Sequence, residues 1–128
     1  MGRGLIVDLD PRELNPLSLA LVGKLGTVLV GSGSIETEDK TRGWRRHQLL
    51  RYFCGSDAFA RLVRLQILVA DEIRYTITPK GASDELYLDG LVPEGAPLKL
   101  RLVRDPLTDP AALPNPFPDI DVRFEVFG

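Results

Sequence analysis

Gly31, Ser32 and Gly33 follow an apolar run, Val28 to Val30, much as a phosphate-cradling loop follows a strand. A dinucleotide fingerprint would also need a third glycine, where Glu36 stands, and a helix opening at the loop so that its amides meet the pyrophosphate. Glu36, Glu38 and Asp39 would instead set negative charge beside a phosphate. The stretch therefore reads as a polar loop tip, and no cofactor is expected.

His47 is the only histidine, so any triad, dyad or histidine-led metal cluster must use it. Cys54 is the only cysteine and follows seven residues later. On one helix the two would stand about 10 Å apart along the axis, too far for proton transfer. A surface histidine and a buried, apolar-behaving cysteine are the plainer reading. Zinc wants about four Cys, His or carboxylate ligands, and those here are scattered. The acidic pairs Asp8 and Asp10, Asp71 and Glu72, Asp84 and Glu85, and Asp119 and Asp121 fall at strand edges or turns, where acids favour solubility and turn formation. No catalytic or metal-binding residue is assigned.

The arginines stand out. Six of the twelve, Arg42, Arg45, Arg46, Arg51, Arg61 and Arg64, lie within a stretch holding one acid, Asp57. A guanidinium's flat fork suits bidentate pairing with carboxylate or phosphate. If a helix starts near Thr41, then Lys40, Arg42, Arg45 and Arg46 crowd its positive end, which costs about 0.3 to 1 kcal/mol each when exposed. Compensation comes either from within, through Glu36, Glu38 and Asp39, or from a partner's acidic groups. Arg42, Trp44, Arg45, Arg46, Arg51, Arg61 and Arg64 are the candidate partner-binding set, with Trp44 as core or contact anchor.

These residues need a scaffold. "LIVDLD" alternates as a first strand; the stretch from Pro11 to Gly26 suggests a short helix opened by Pro16, and "GTVLVGS" a buried strand. "WRRHQLLRYFCG" fits a helix by Leu49, Leu50 and Phe53, closed by Gly55, and Ser56 caps a second helix through Gln66. Leu65, Ile67 and Val69, then Ile73, Tyr75 and Ile77, alternate about a turn at Ala70 and Asp71, which predicts a hairpin. "ELYLDGL", "LKLRLVR" and "DIDVRFEVFG" read as further strands. Five prolines between Asp105 and Pro118 exclude helix and central strand, leaving an extended arm or surface connection.

At 128 residues the chain fits one domain, 1–128, able to bury a core without disulfide staples. The fold expected is α+β: a mostly antiparallel β-barrel or sandwich with a central helical insertion over 42–68 and the proline-rich arm over 105–118. No apolar run nears the roughly 20 residues needed to span a bilayer, and the start lacks a signal-peptide core, so no membrane partner and a cytoplasmic location are expected. Net charge is −2. The leading expectation is a non-enzymatic structural or assembly subunit of an oligomeric complex, such as a phage-like particle, secretion apparatus or multi-subunit machine, whose partners are other protein subunits in a homo- or hetero-oligomer. A nucleic-acid-binding module using the arginine helix is the alternative; a small enzyme or ligand-binding domain is the third.

Overall fold

The computed structural model describes residues 18–41, 47–89 and 96–128. Among these residues nine strands and two short helices appear, in the order β1 (Ser18–Lys24), α1 (Leu25–Leu29), β2 (Ser34–Glu36), β3 (Lys40–Thr41), β4 (His47–Phe53), α2 (Asp57–Ala60), β5 (Val63–Val69), β6 (Glu72–Ile77), β7 (Ser83–Asp89), β8 (Pro97–Arg104) and β9 (Asp121–Phe127). A single 3₁₀ turn, Pro110–Ala112, interrupts the last connection.

Two antiparallel sheets face each other. The front sheet has the order β1-β9-β4-β7, and the back sheet β2-β8-β5-β6, with β3 also paired to β8. The architecture is a β-sandwich, so the barrel alternative falls: the sheets do not close on one another. Alternation builds the interior. Leu98, Leu100 and Leu102 of β8, Val63, Leu65 and Ile67 of β5, and Val122, Phe124 and Val126 of β9 point inward and are buried. Each such aliphatic side chain contributes about 1.5–3 kcal/mol by leaving water. Tyr52 stacks on Phe124 with ring centroids 5.3 Å apart, joining β4 to β9.

The expected hairpin is present: β5 and β6 pair antiparallel, and Ala70 and Asp71 take φ of 52° and 66°, the left-handed pair that joins twisted strands in two residues. β7, β8 and β9 also fall where alternation puts them. The proline-rich segment is a connection folded onto its own chain. Its Phe117 packs on Phe59 at 4.9 Å between ring centroids, and Leu113 and Phe117 cover the core.

Five expectations fail. The central helical insertion over 42–68 reduces, among the described residues, to the four-residue α2. His47–Phe53 is the strand β4, lying between β9 and β7. Leu49, Leu50 and Phe53 do fit a helical period, but Leu50 and Tyr52 face the interior while Leu49 is buried on the opposite side. Covered on both faces at Leu49 and Leu50, this part of the strand loses the alternating signature. Ser56 does cap α2, its Oγ accepting from Phe59 N at 3.3 Å, yet the strand β5 starts at Val63.

The third and fourth failures exchange places. The helix expected before Gly26 is the strand β1 over Ser18–Lys24, and the strand expected in "GTVLVGS" is the helix α1, whose Leu25, Val28 and Leu29 are buried at helical spacing. The polar connection expected after Gly33 carries the short edge strands β2 and β3. The first strand expected at Leu5 to Leu9 and the Pro16 helix start lie outside the described residues.

Candidate binding face

Strand period two turns Val22 of β1, Arg123 and Glu125 of β9, Arg51 and Phe53 of β4, and Ser83, Glu85 and Tyr87 of β7 to the outside of the front sheet. Register aligns them in rows. Arg51 sits opposite Glu125 on one side and Glu85 on the other; the next row holds Val22, Arg123, Phe53 and Ser83. The Arg51 guanidinium pairs with Glu85 Oε2. Arg123 donates from Nε and Nη2 to Glu125 Oε1 at 3.3 and 3.2 Å. Basic and acidic groups thus alternate across three strands, contributing about 0–1 kcal/mol per exposed pair.

Around this ladder stand large apolar side chains: Val22 is 62% exposed, Phe53 51% and Tyr87 74%. Arg51, Phe53, Ser83, Glu85, Arg123 and Glu125 line an open groove of about 620 Å³. The groove crosses β9, β4 and β7, so its floor is rigid sheet.

No protein-family model and no curated protein matches the chain. Solved structures that are similar in shape include the following two. The CBM36-1 domain of a multidomain xylanase from the hindgut metagenome of Trinervitermes trinervoides has a TM-score of 0.44 and 12% identity, covering 88% of this chain and 98% of that one. An acetyl xylan esterase (Est2A) from the rumen bacterium Butyrivibrio proteoclasticus has a TM-score of 0.38 and 12% identity, covering 84% of this chain and 31% of that one. At such scores and identity neither likeness carries an argument about ligand or activity.

Of the arginines singled out in the sequence, Arg42, Arg45 and Arg46 lie outside the described residues, as does Trp44. Arg51 is in the ladder. Arg64 points out of the back sheet, where its Nη2 meets Asp105 Oδ2 at 2.7 Å. Arg61 is exposed just after α2. Arg51 and Arg64 therefore leave opposite faces of the sandwich, and the helical surface expected to carry them together is absent because β4 and β5 are strands in different sheets. The acids expected to neutralise the cluster from within do other work in part: Glu36 accepts from Arg101 Nε at 2.9 Å, and Arg101 with Lys99 holds its carboxyl below the usual range.

Cys54 is buried, and burial alone pushes its thiol up to about 12. It lies just past β4, seven residues from His47, which is about 23 Å at strand rise. Among the described residues no group of three or more His, Cys, Asp or Glu could hold a metal, and no helix is long and apolar enough to cross a membrane. Gly31 ends α1, its N–H donating to Gly26 O at 3.0 Å. The glycine-serine stretch thus meets the carbonyl end of a helix, the wrong end for a phosphate.

Sequence reasoning missed Phe53, Tyr87, Glu85, Arg123 and Glu125 as one surface. The outward alternation of β9 was legible as Asp121, Arg123 and Glu125, but nothing in the chain's order announces that β4 lies beside it.

Proposed function

We propose that the chain is a non-enzymatic binding module that works by contact, holding its ligand on the outer face of the front sheet. One observation carries this reading: half-exposed Phe53 stands in a groove whose floor is an alternating Arg–Glu ladder, with exposed Tyr87 farther along the same face. Apolar surface joined to a few fixed polar groups is the usual make-up of a binding site, and exposed aromatic rings are common contact anchors.

The test is capture from extracts of cells that carry the protein. Wild-type chain, the double variant Phe53→Ala/Tyr87→Ala and the back-sheet variant Thr76→Ala are immobilised at equal density. Wild type and Thr76→Ala should retain the same material and the double variant about a tenth as much or less. Equal retention by all three would overturn the assignment of this face.

A second reading, the assembly subunit, is favoured by Leu107. This side chain is 93% exposed on a turn that Asp105 fixes by accepting from Leu107 N at 3.0 Å and Thr108 N at 2.9 Å. A rigidly presented leucine suits insertion between protein subunits. Light scattering should then give a mass above one chain that Leu107→Asp lowers; a monomer at high concentration would exclude self-assembly.

A further inference from the structure

Resting on the front-sheet reading above, we propose that the groove takes a neutral, polyhydroxylated chain: an oligosaccharide laid across β9, β4 and β7 with one sugar ring against Phe53.

Charge comes first. Arg51 and Arg123 face Glu85 and Glu125 along the groove, so its outward charges balance; Asp84 also borders it but stands opposite the inward-facing Tyr52. Both guanidiniums are already engaged, Arg51 by Glu85 and Arg123 by Glu125. An anionic ligand would have to displace a carboxylate from its guanidinium, and would meet the remaining acids. A cationic one would meet two guanidiniums. The floor favours a ligand without charge.

Hydrogen-bonding character comes next. A guanidinium has five N–H groups and no acceptor, whereas a carboxylate only accepts. Arg123 spends two N–H groups on Glu125. Because the row Glu125, Arg51, Glu85 runs across adjacent strands, donors and acceptors alternate every ~4.8 Å. A ligand matching that row must both give and take hydrogen bonds at neighbouring positions. A hydroxyl does both with one atom, so vicinal hydroxyls fit where a carboxylate or an amine does not. Ser83, opposite Phe53, adds a hydroxyl of the same kind at the groove's edge.

Shape completes the assignment. Phe53 is half exposed beside the ladder and presents an apolar surface to the C–H face of a ring whose hydroxyls reach the charged row. From β9 to β7 the groove crosses three strands, about 10 Å at the ~4.8 Å strand spacing. One sugar ring does not span that width; a short chain of them does.

The decisive experiment uses the whole chain in calorimetric titrations with neutral hexasaccharides of glucose, mannose and xylose, in both α- and β-linked series where they exist. Oligogalacturonate of the same length serves as the anionic control. At least one neutral series should bind about tenfold or more tightly than the anionic control. Phe53→Ala, which alters an exposed side chain, should weaken that binding about tenfold, and so should Glu85→Gln, which keeps the shape but removes an ionised acceptor. Thr76→Ala on the back sheet should leave it unchanged. Failure to bind every neutral series, or tighter binding of oligogalacturonate, overturns the saccharide assignment. The face itself stands or falls separately by the extract experiment.

Discussion

Arg64 of β5 and Asp105, the first residue after β8, form a half-buried ion pair, Nη2 to Oδ2 at 2.7 Å, that ties the back sheet to the start of the proline-rich connection. The same guanidinium donates from Nη1 to the carbonyls of Arg61 and Val63 at 2.8 Å, and the Asp105 backbone N–H donates to Leu62 O at 2.9 Å. Asp105 therefore serves as charge partner, turn cap and backbone clamp together.

Replacing Asp105 by alanine removes the charge and the turn acceptor but keeps the backbone clamp. Urea unfolding of Asp105→Ala should show a loss of about 1–3 kcal/mol. Asp105→Asn, which keeps an acceptor for Leu107 N, should lose less. Equal losses would show that the turn hydrogen bond contributes nothing.

The β5–β6 turn holds two non-glycine residues in left-handed backbone, Ala70 and Asp71. Alanine gains nothing there to offset the steric cost, whereas asparagine and glycine tolerate it. The double substitution Ala70→Asn/Asp71→Gly should raise stability by about 1 kcal/mol, read as a higher urea midpoint at unchanged slope. A lower midpoint would mean that the Asp71 carboxylate, 3.9 Å from Lys99 Nζ, matters more than the backbone.

That turn also marks how far the sequence could be read. Leu98, Leu100 and Leu102, or Val122, Phe124 and Val126, alternate with polar residues because each strand has one dry face and one wet one, and both strands are where the pattern puts them. β4 breaks the pattern since Leu49 is buried on the outer face and Leu50 on the inner. β1 and α1 were exchanged because Gly23 and Gly26 punctuate either assignment. The groove was illegible for another reason: Arg51 meets Glu85 and Glu125 through strand pairing over separations of 34 and 74 residues, which local spacing does not encode.

Cys54 sets an alkaline limit on stability. Its thiol is pushed up to about 12 in the folded chain by burial, whereas an unfolded thiol ionises near 8.5. Between those values the unfolded state releases a proton that the native state keeps, so stability falls as pH rises through that window. Cys54→Ala should flatten this alkaline decline, measured by urea midpoints from pH 8 to 11. Native Cys54 should also react with a thiol reagent at pH 8 far more slowly than the unfolded chain; equal rates would contradict its burial.

Gln48 is buried on β4, and its side-chain oxygen and nitrogen have no hydrogen-bond partner among the described residues. A buried polar group without a partner costs about 1–3 kcal/mol. Gln48→Leu, close in volume, should therefore stabilise the chain by an amount in that range. A loss of stability instead would show that the amide is paired.

β9 lies between β1 and β4, so Phe127 sits across from Ser18 and Leu49 at once. The front sheet's middle position is filled by residues that leave the ribosome after every other strand described. Until they emerge, β1 and β4 have no neighbour to join them, and the aromatic pair Tyr52 and Phe124 has only one member. A fragment ending before Asp121 would keep the back sheet's pairings while leaving one wall of the sandwich in two pieces, its inner leucines wet. Assembly of this wall must wait for synthesis to pass Phe127, which makes it a late, long-range event and the step most exposed to aggregation.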